Sequence, residues 1–162
     1  MRFNALALVA SAIVLGACGG GGEGSTTDSA TAPAPGGAGT PAGTVTAMPI
    51  TGTTHEVKMI MDGNSYRFDP VNITVKAGDG IKFTTTSGPP HNFGFDPATI
   101  PDDVEAQIKA NMPAGSIDLE SPMQNAVGES HTLSLAGVKP GTYPFHCTPH
   151  LALGMKGVLT VQ

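Results

Sequence analysis

The chain has 162 residues, enough for one domain and not two. Its formal net charge is −5, and beyond Arg2 the basic residues stand singly at Lys58, Arg67, Lys76, Lys82, Lys109, Lys139 and Lys156. No basic patch exists to neutralise phosphates, which excludes a nucleic-acid partner.

Residues 1–17 have the form of an export signal. Arg2 gives a short basic start, and Ala5 to Leu15 is an apolar run too short to span a bilayer. The run closes on Leu15-Gly16-Ala17-Cys18, which resembles the lipobox of bacterial lipoproteins. That resemblance implies lipidation of Cys18 and a membrane anchor made of acyl chains rather than a transmembrane helix. Ordinary secretory cleavage after Ala17 is the alternative. With Cys18 lipidated, Cys147 is alone in an exported compartment, has no intramolecular disulfide partner, and is a liability unless something occupies it.

Residues 18–52 read as the lipidated cysteine plus a linker. Gly, Ala, Ser, Thr and Pro dominate, with few large apolar residues to build a core. As a flexible coil the tract spans on the order of 30 Å root-mean-square. A folded domain is expected over 53–162.

From His55 onward the pattern is of short alternating strands. Val57, Met59 and Met61 share a face, and Asp62-Gly63-Asn64 is a turn. Val71, Ile73 and Val75 alternate, then Ala77-Gly78-Asp79-Gly80 turns the chain into Ile81 and Phe83. His91, Phe93 and Phe95 share a face, as do Leu133 and Leu135, then Tyr143, Phe145 and Cys147, then Met155, Gly157, Leu159 and Val161. Period-two alternation broken by Gly and Pro predicts an all-β sandwich or barrel. One segment differs. Val104 and Ile108 are four apart in PDDVEAQIKANM, which predicts a short helix over 102–111, capped by Asp102, inside a long inter-strand segment at 96–128.

Tyr143 to Met155 reads YPFHCTPHLALGM, placing Cys147, His150 and Met155 close together, and His91 in Pro89-Pro90-His91-Asn92-Phe93 adds another imidazole. Thiolate and thioether are soft ligands, which excludes calcium and magnesium. Two imidazoles, one thiolate and a weak axial thioether suit copper in both of its common oxidation states. Other readings of the same residues are a packing cysteine, zinc, a metal-free site, or a Cys147–His150 nucleophile pair. The last lacks an oxyanion-stabilising motif and an orienting acid, and leaves His91 and Met155 unexplained.

With Pro90-His91-Asn92, Cys147-x-x-His150-x-x-x-x-Met155, Gly141-Thr142-Tyr143 before and Gly157-Val158-Leu159-Thr160-Val161 after, the chain resembles the cupredoxins, the small blue copper proteins of plastocyanin and pseudoazurin type. The Cys-Thr-Pro-His and Leu-Gly-Met turns are more similar to the pseudoazurin form. The resemblance covers about 53–162 and is weak between 96 and 128, whose role it leaves open.

The resemblance implies a Greek-key β-sandwich with one copper ion per chain. His91, Cys147 and His150 would be equatorial ligands and Met155 the axial one. Asn92 would bond across to the Thr148 region and fix the ligand loop. It also implies single-electron transfer between redox partners, such as a c-type cytochrome or a membrane oxidoreductase or oxidase, by a non-enzymatic monomer. That protein would be held at the cell envelope of a bacterium, on the outer or inner membrane and facing the periplasm. Copper trafficking or storage with the same ligands is the alternative function, and a structural β-domain is a third.

His146 alternates to the opposite face from Cys147 and reads as an exposed strand residue, or as an electron route through the backbone to the thiolate. Pro90, Leu151 and Leu153 would form an apolar docking rim, or simply loop packing. The acidic run Asp96, Asp102, Asp103 and Glu105 reads as a solvated face that also favours a basic partner. His55 and His131 read as structural or solvated.

Overall fold

The computed structural model describes residues 45–162. The expected signal, Cys18 and the first part of the linker lie outside the described residues. Among the described residues eight strands and one α-helix follow in order: β1 Thr54–Asp62, β2 Ser65–Asp69, β3 Asn72–Val75, β4 Gly80–Thr85, β5 Gly94–Phe95, α1 Asp102–Asn111, β6 Ser130–Ser134, β7 Gly141–His146 and β8 Lys156–Val161. They form two four-stranded sheets, ordered β2-β1-β4-β6 and β3-β8-β7-β5. β1 with β4, and β3 with β8, pair in parallel, whereas the other pairs are antiparallel. This is the all-β Greek-key sandwich expected.

The alternating residues supply the inner faces. Val57, Met59, Phe68, Ile81, Phe83 and Leu133 from one sheet meet Val75, Phe95, Tyr143, Phe145, Leu159 and Val161 from the other, all at most 3% exposed. The Phe83 and Phe93 rings stack with centroids 4.0 Å apart, and Phe145 packs edge-on to Phe68 at 4.7 Å. Met61 and Val71 depart from the expected inward alternation. They are 39% and 45% exposed: Met61 is next to the last residue of β1, and Val71 precedes β3.

Helix α1 covers one edge of the core with Val104 and Ile108. Its boundaries match the expected 102–111, but Pro101 is the N-cap residue and no side chain caps the helix. Asp102, Asp103 and Glu105 instead lie in the first turn, where their charge complements the helix dipole. The end of the expected linker is not free: Thr51 and Gly52 both donate to the Gly78 carbonyl at 2.9 Å, and Met48 N donates to Asn111 Oδ1 at 2.9 Å. Among the described residues no helix is long and apolar enough to cross a membrane.

Candidate metal centre

Two connections at one end of the sandwich carry the predicted donors. Cys147 follows β7 directly, and a 3₁₀ turn, Thr148–Leu153, leads through left-handed Gly154 (φ 84°) to Met155 and β8. The loop is tied to itself: Cys147 N donates to the Met155 carbonyl (3.1 Å), His150 N to the Cys147 carbonyl (3.1 Å) and Met155 N to the His150 carbonyl (3.2 Å). His91 lies between β4 and β5. Its backbone exchanges two hydrogen bonds with Gln124, at 3.0 and 2.7 Å. Gln124 is fully buried, and its side-chain oxygen accepts from the Thr85 amide and hydroxyl.

These restraints bring one donor atom each from His91, Cys147 and His150 within 4.8 Å of one another, all three side chains buried. Cys147 Sγ is 3.6 Å from His91 Nδ1 and 3.4 Å from His150 Nδ1. Met155 is fully buried, and its backbone is bonded to Cys147 and His150. His91 Nε2 lies 2.9 Å from the Ser87 carbonyl, which can only accept, so Nε2 carries the hydrogen and Nδ1 keeps its lone pair toward the sulfur. The His150 ring stacks on Tyr66, with centroids 3.7 Å apart and planes 12° apart, which fixes its direction.

Burial sets the charge states. It pushes the Cys147 thiol up, opposed by the backbone N–H groups of Asn92 and His150, with the Glu120 charge adding to the rise. It holds His91 below its usual range against the Ser87 hydrogen bond, and lowers His150 too, with His91 adding to the effect. The centre therefore presents two neutral imidazole nitrogens and one sulfur converging at a buried point. That donor set fits a soft, thiophilic transition metal and offers a hard cation no oxygen.

Asn92 bonds across to Thr148. Its Oδ1 accepts from Thr148 N at 2.8 Å, and its Nδ2 donates to Thr148 Oγ1 at 3.1 Å. It also donates to Glu120 Oε2 at 2.9 Å. His146 is not the exposed strand residue expected. Its side chain is 14% exposed, and Nε2 lies 3.0 Å from Glu120 Oε1. Pro90, Leu151 and Leu153 are exposed around the end of the molecule that holds the donors. His55 is structural, bonded to Asp79 at 2.9 Å.

Tyr66, Ser87, Glu120 and Gln124 were not found from sequence. Each acts through a partner on another element or through a carbonyl, and none belongs to a spaced motif. The nearest sequence signal was the segment 96–128 itself, long and of no evident role.

The family of copper binding proteins described as the plastocyanin/azurin family matches residues 55–162. A plastocyanin from Solanum crispum is 39% identical over 107 residues, covering 66% of this chain and 99% of that protein. A plastocyanin from Nostoc punctiforme is 36% identical over 110 residues, covering 67% of this chain and 74% of that protein. The solved oxidised plastocyanin from Dryopteris crassirhizoma has a TM-score of 0.54 at 35% identity, covering 67% of this chain and all of that one.

Proposed function

Because this chain belongs to the plastocyanin/azurin family of copper-binding proteins, we propose that His91, Cys147 and His150 would hold one copper ion, with Met155 as a fourth, weaker ligand. The protein is a blue-copper electron carrier and not an enzyme. The observation that carries the ligand assignment is the convergence of two histidine Nδ1 atoms on one buried sulfur. Bound copper supplies a one-electron couple between Cu(I) and Cu(II).

The chain's own residues keep that couple reversible. The self-tied loop and the Gln124 clamp resist rearrangement, and Tyr66 and Ser87 aim the two imidazoles. Burial of all three donors opposes metal release, which favours a shuttle over a carrier that hands copper on. The exposed Pro90, Leu151 and Leu153 suit brief apolar docking of a protein redox partner close to the centre. A c-type cytochrome or a membrane oxidoreductase is the partner class. The likeness of Leu15-Gly16-Ala17-Cys18 to a lipobox supports a monomer anchored through lipidated Cys18 to a bacterial envelope membrane, facing the periplasm.

The test is a visible spectrum of the full chain titrated with Cu(II) while Cys147 is kept reduced. An intense blue or green band at one copper per chain, bleached by reductant and restored by oxidant, is expected, and Cys147→Ser removes it. A pale spectrum without a charge-transfer band would falsify the assignment.

A further inference from the structure

The segment between α1 and β6 crosses the ligand end of the molecule. It forms isolated bridges rather than a strand: Gly94 pairs with Glu120, Ile117 with Glu120, and His91 with Gln124. Phe95 N donates to the Leu119 carbonyl (3.2 Å) and Ser121 N to the Phe93 carbonyl (2.9 Å), so Glu120 is fixed at its backbone on both sides. Its side chain lies across the bare backbone of Gly94, where an added Cβ would fall 2.1 Å from Oε2 and 2.3 Å from the carboxyl carbon. The glycine makes the space in which the carboxylate sits.

Three donors converge there. Asn92 Nδ2 and Thr148 Oγ1 reach Oε2 at 2.9 and 2.5 Å, and His146 Nε2 reaches Oε1 at 3.0 Å. An ionised carboxylate only accepts, so His146 carries its hydrogen on Nε2. His146 and Thr148 are the two residues flanking Cys147, and Asn92 follows His91. One carboxylate thus ties together the neighbours of two proposed ligands on two different connections.

Resting on the copper reading above, we propose that Glu120 is the positioning and charge-setting residue of the metal centre. It locks Thr148 and Asn92 to each other and places a fixed negative charge behind the thiolate. That charge favours the more positive, oxidised state of the centre over the reduced one, and so lowers the reduction potential. Burial tends to raise the Glu120 carboxyl, but hydrogen bonds from His146, Thr148 and Asn92 together outweigh it and hold the group below the usual range. The charge is therefore present at neutral pH.

Glu120→Gln separates these roles from bulk, since the amide matches the carboxylate in size but has one acceptor oxygen for three donors. Copper-loaded full chain is titrated electrochemically, and hydrogen exchange at the Thr148 amide is followed in the metal-free protein. The variant is expected to favour the reduced form about threefold, which for one electron is ~30 mV upward, and to exchange the Thr148 amide several-fold faster. Glu120→Asp keeps the charge but shortens the reach. It should leave the potential nearer wild type while still loosening Thr148. A Glu120→Gln protein with wild-type potential and wild-type Thr148 exchange overturns the proposal while the copper reading stands. A wild-type chain that forms no intense thiolate–copper band overturns both.

Discussion

A side chain can hold a fold together only when all of its polar atoms find partners, and Asn111 does so. Its Nδ2 donates to the Ser134 and Ala136 carbonyls (3.0 and 2.8 Å), and its Oδ1 accepts from Met48 N and Gln107 Nε2 (2.9 and 3.0 Å). It is 7% exposed, so water cannot replace them. Asn111→Ala leaves two buried carbonyls and one amide without a partner and is expected to lower stability by about 2–4 kcal/mol, read from urea unfolding of the metal-free protein. A change below about 0.5 kcal/mol, typical of a surface site, would show that the network is dispensable. The contrast with the metal donors explains what was legible at this scale. Cys147, His150 and Met155 could be read because their chemistry is confined to one short loop. Apart from Gln107, four positions from Asn111, the partners through which Asn111, Glu120 and Gln124 act are 23 to 63 positions away, which leaves no pattern in the sequence.

Strands were legible because burial repeats every second residue, and α1 because Val104 and Ile108 repeat at helical spacing. The stretch 113–128 was not, since isolated bridges impose no period. Two connections at element scale make predictions. In the turn between β3 and β4, the Asp79 carboxylate accepts from the Lys76 and Thr53 amides (3.0 and 2.8 Å) and lies 2.9 Å from His55 Nε2. The Lys76 amide, then the His55 side chain, then the Thr53 amide hold its pKa down to about 2. Because the folded value lies below the unfolded one, its contribution is complete above about pH 4 and is lost as pH falls toward 2. Unfolding free energy measured across that window should fall more steeply for wild type than for Asp79→Asn; equal slopes would remove Asp79 from acid unfolding. In β8, a Cβ on Gly157 would meet Phe145 Cζ at 2.3 Å and the Val71 carbonyl at 2.6 Å. The second contact is backbone and cannot swing away. Gly157→Ala is therefore expected to cost about 1–3 kcal/mol, and a melting temperature equal to wild type would show that β3 and β8 can part without penalty.

At the scale of the molecule the two ends of the sandwich carry different duties. β1 and β4 run in parallel, from Thr54 opposite Gly80 to Met59 opposite Thr85, and His91 and Ser87 lie beyond that second end. The segment 45–52 docks at the first end, through Thr51 and Gly52 on the Gly78 carbonyl and Met48 on Asn111. At strand rise the ends are on the order of 20 Å apart. Composition hid this segment, because its few apolar residues follow a long Gly- and Pro-rich tract without a break. Ile50 is half-buried, and an added Cβ at Gly80 would fall 2.3 Å from its Cδ1, so the segment closes the base of the core rather than hanging from it. Deleting 45–52 from the full chain removes those hydrogen bonds and uncovers Gly80, which predicts a loss of about 2–4 kcal/mol in the metal-free protein. The same deletion should leave the copper charge-transfer band and the midpoint potential at their wild-type values, because the hydrogen bonds of 45–52 go to Gly78, Gln107 and Asn111 and none reaches the loops that hold His91 and Cys147. A shift of either would mean that strain at the base is transmitted along β1 and β4 to the ligands, and that the two ends do not act independently.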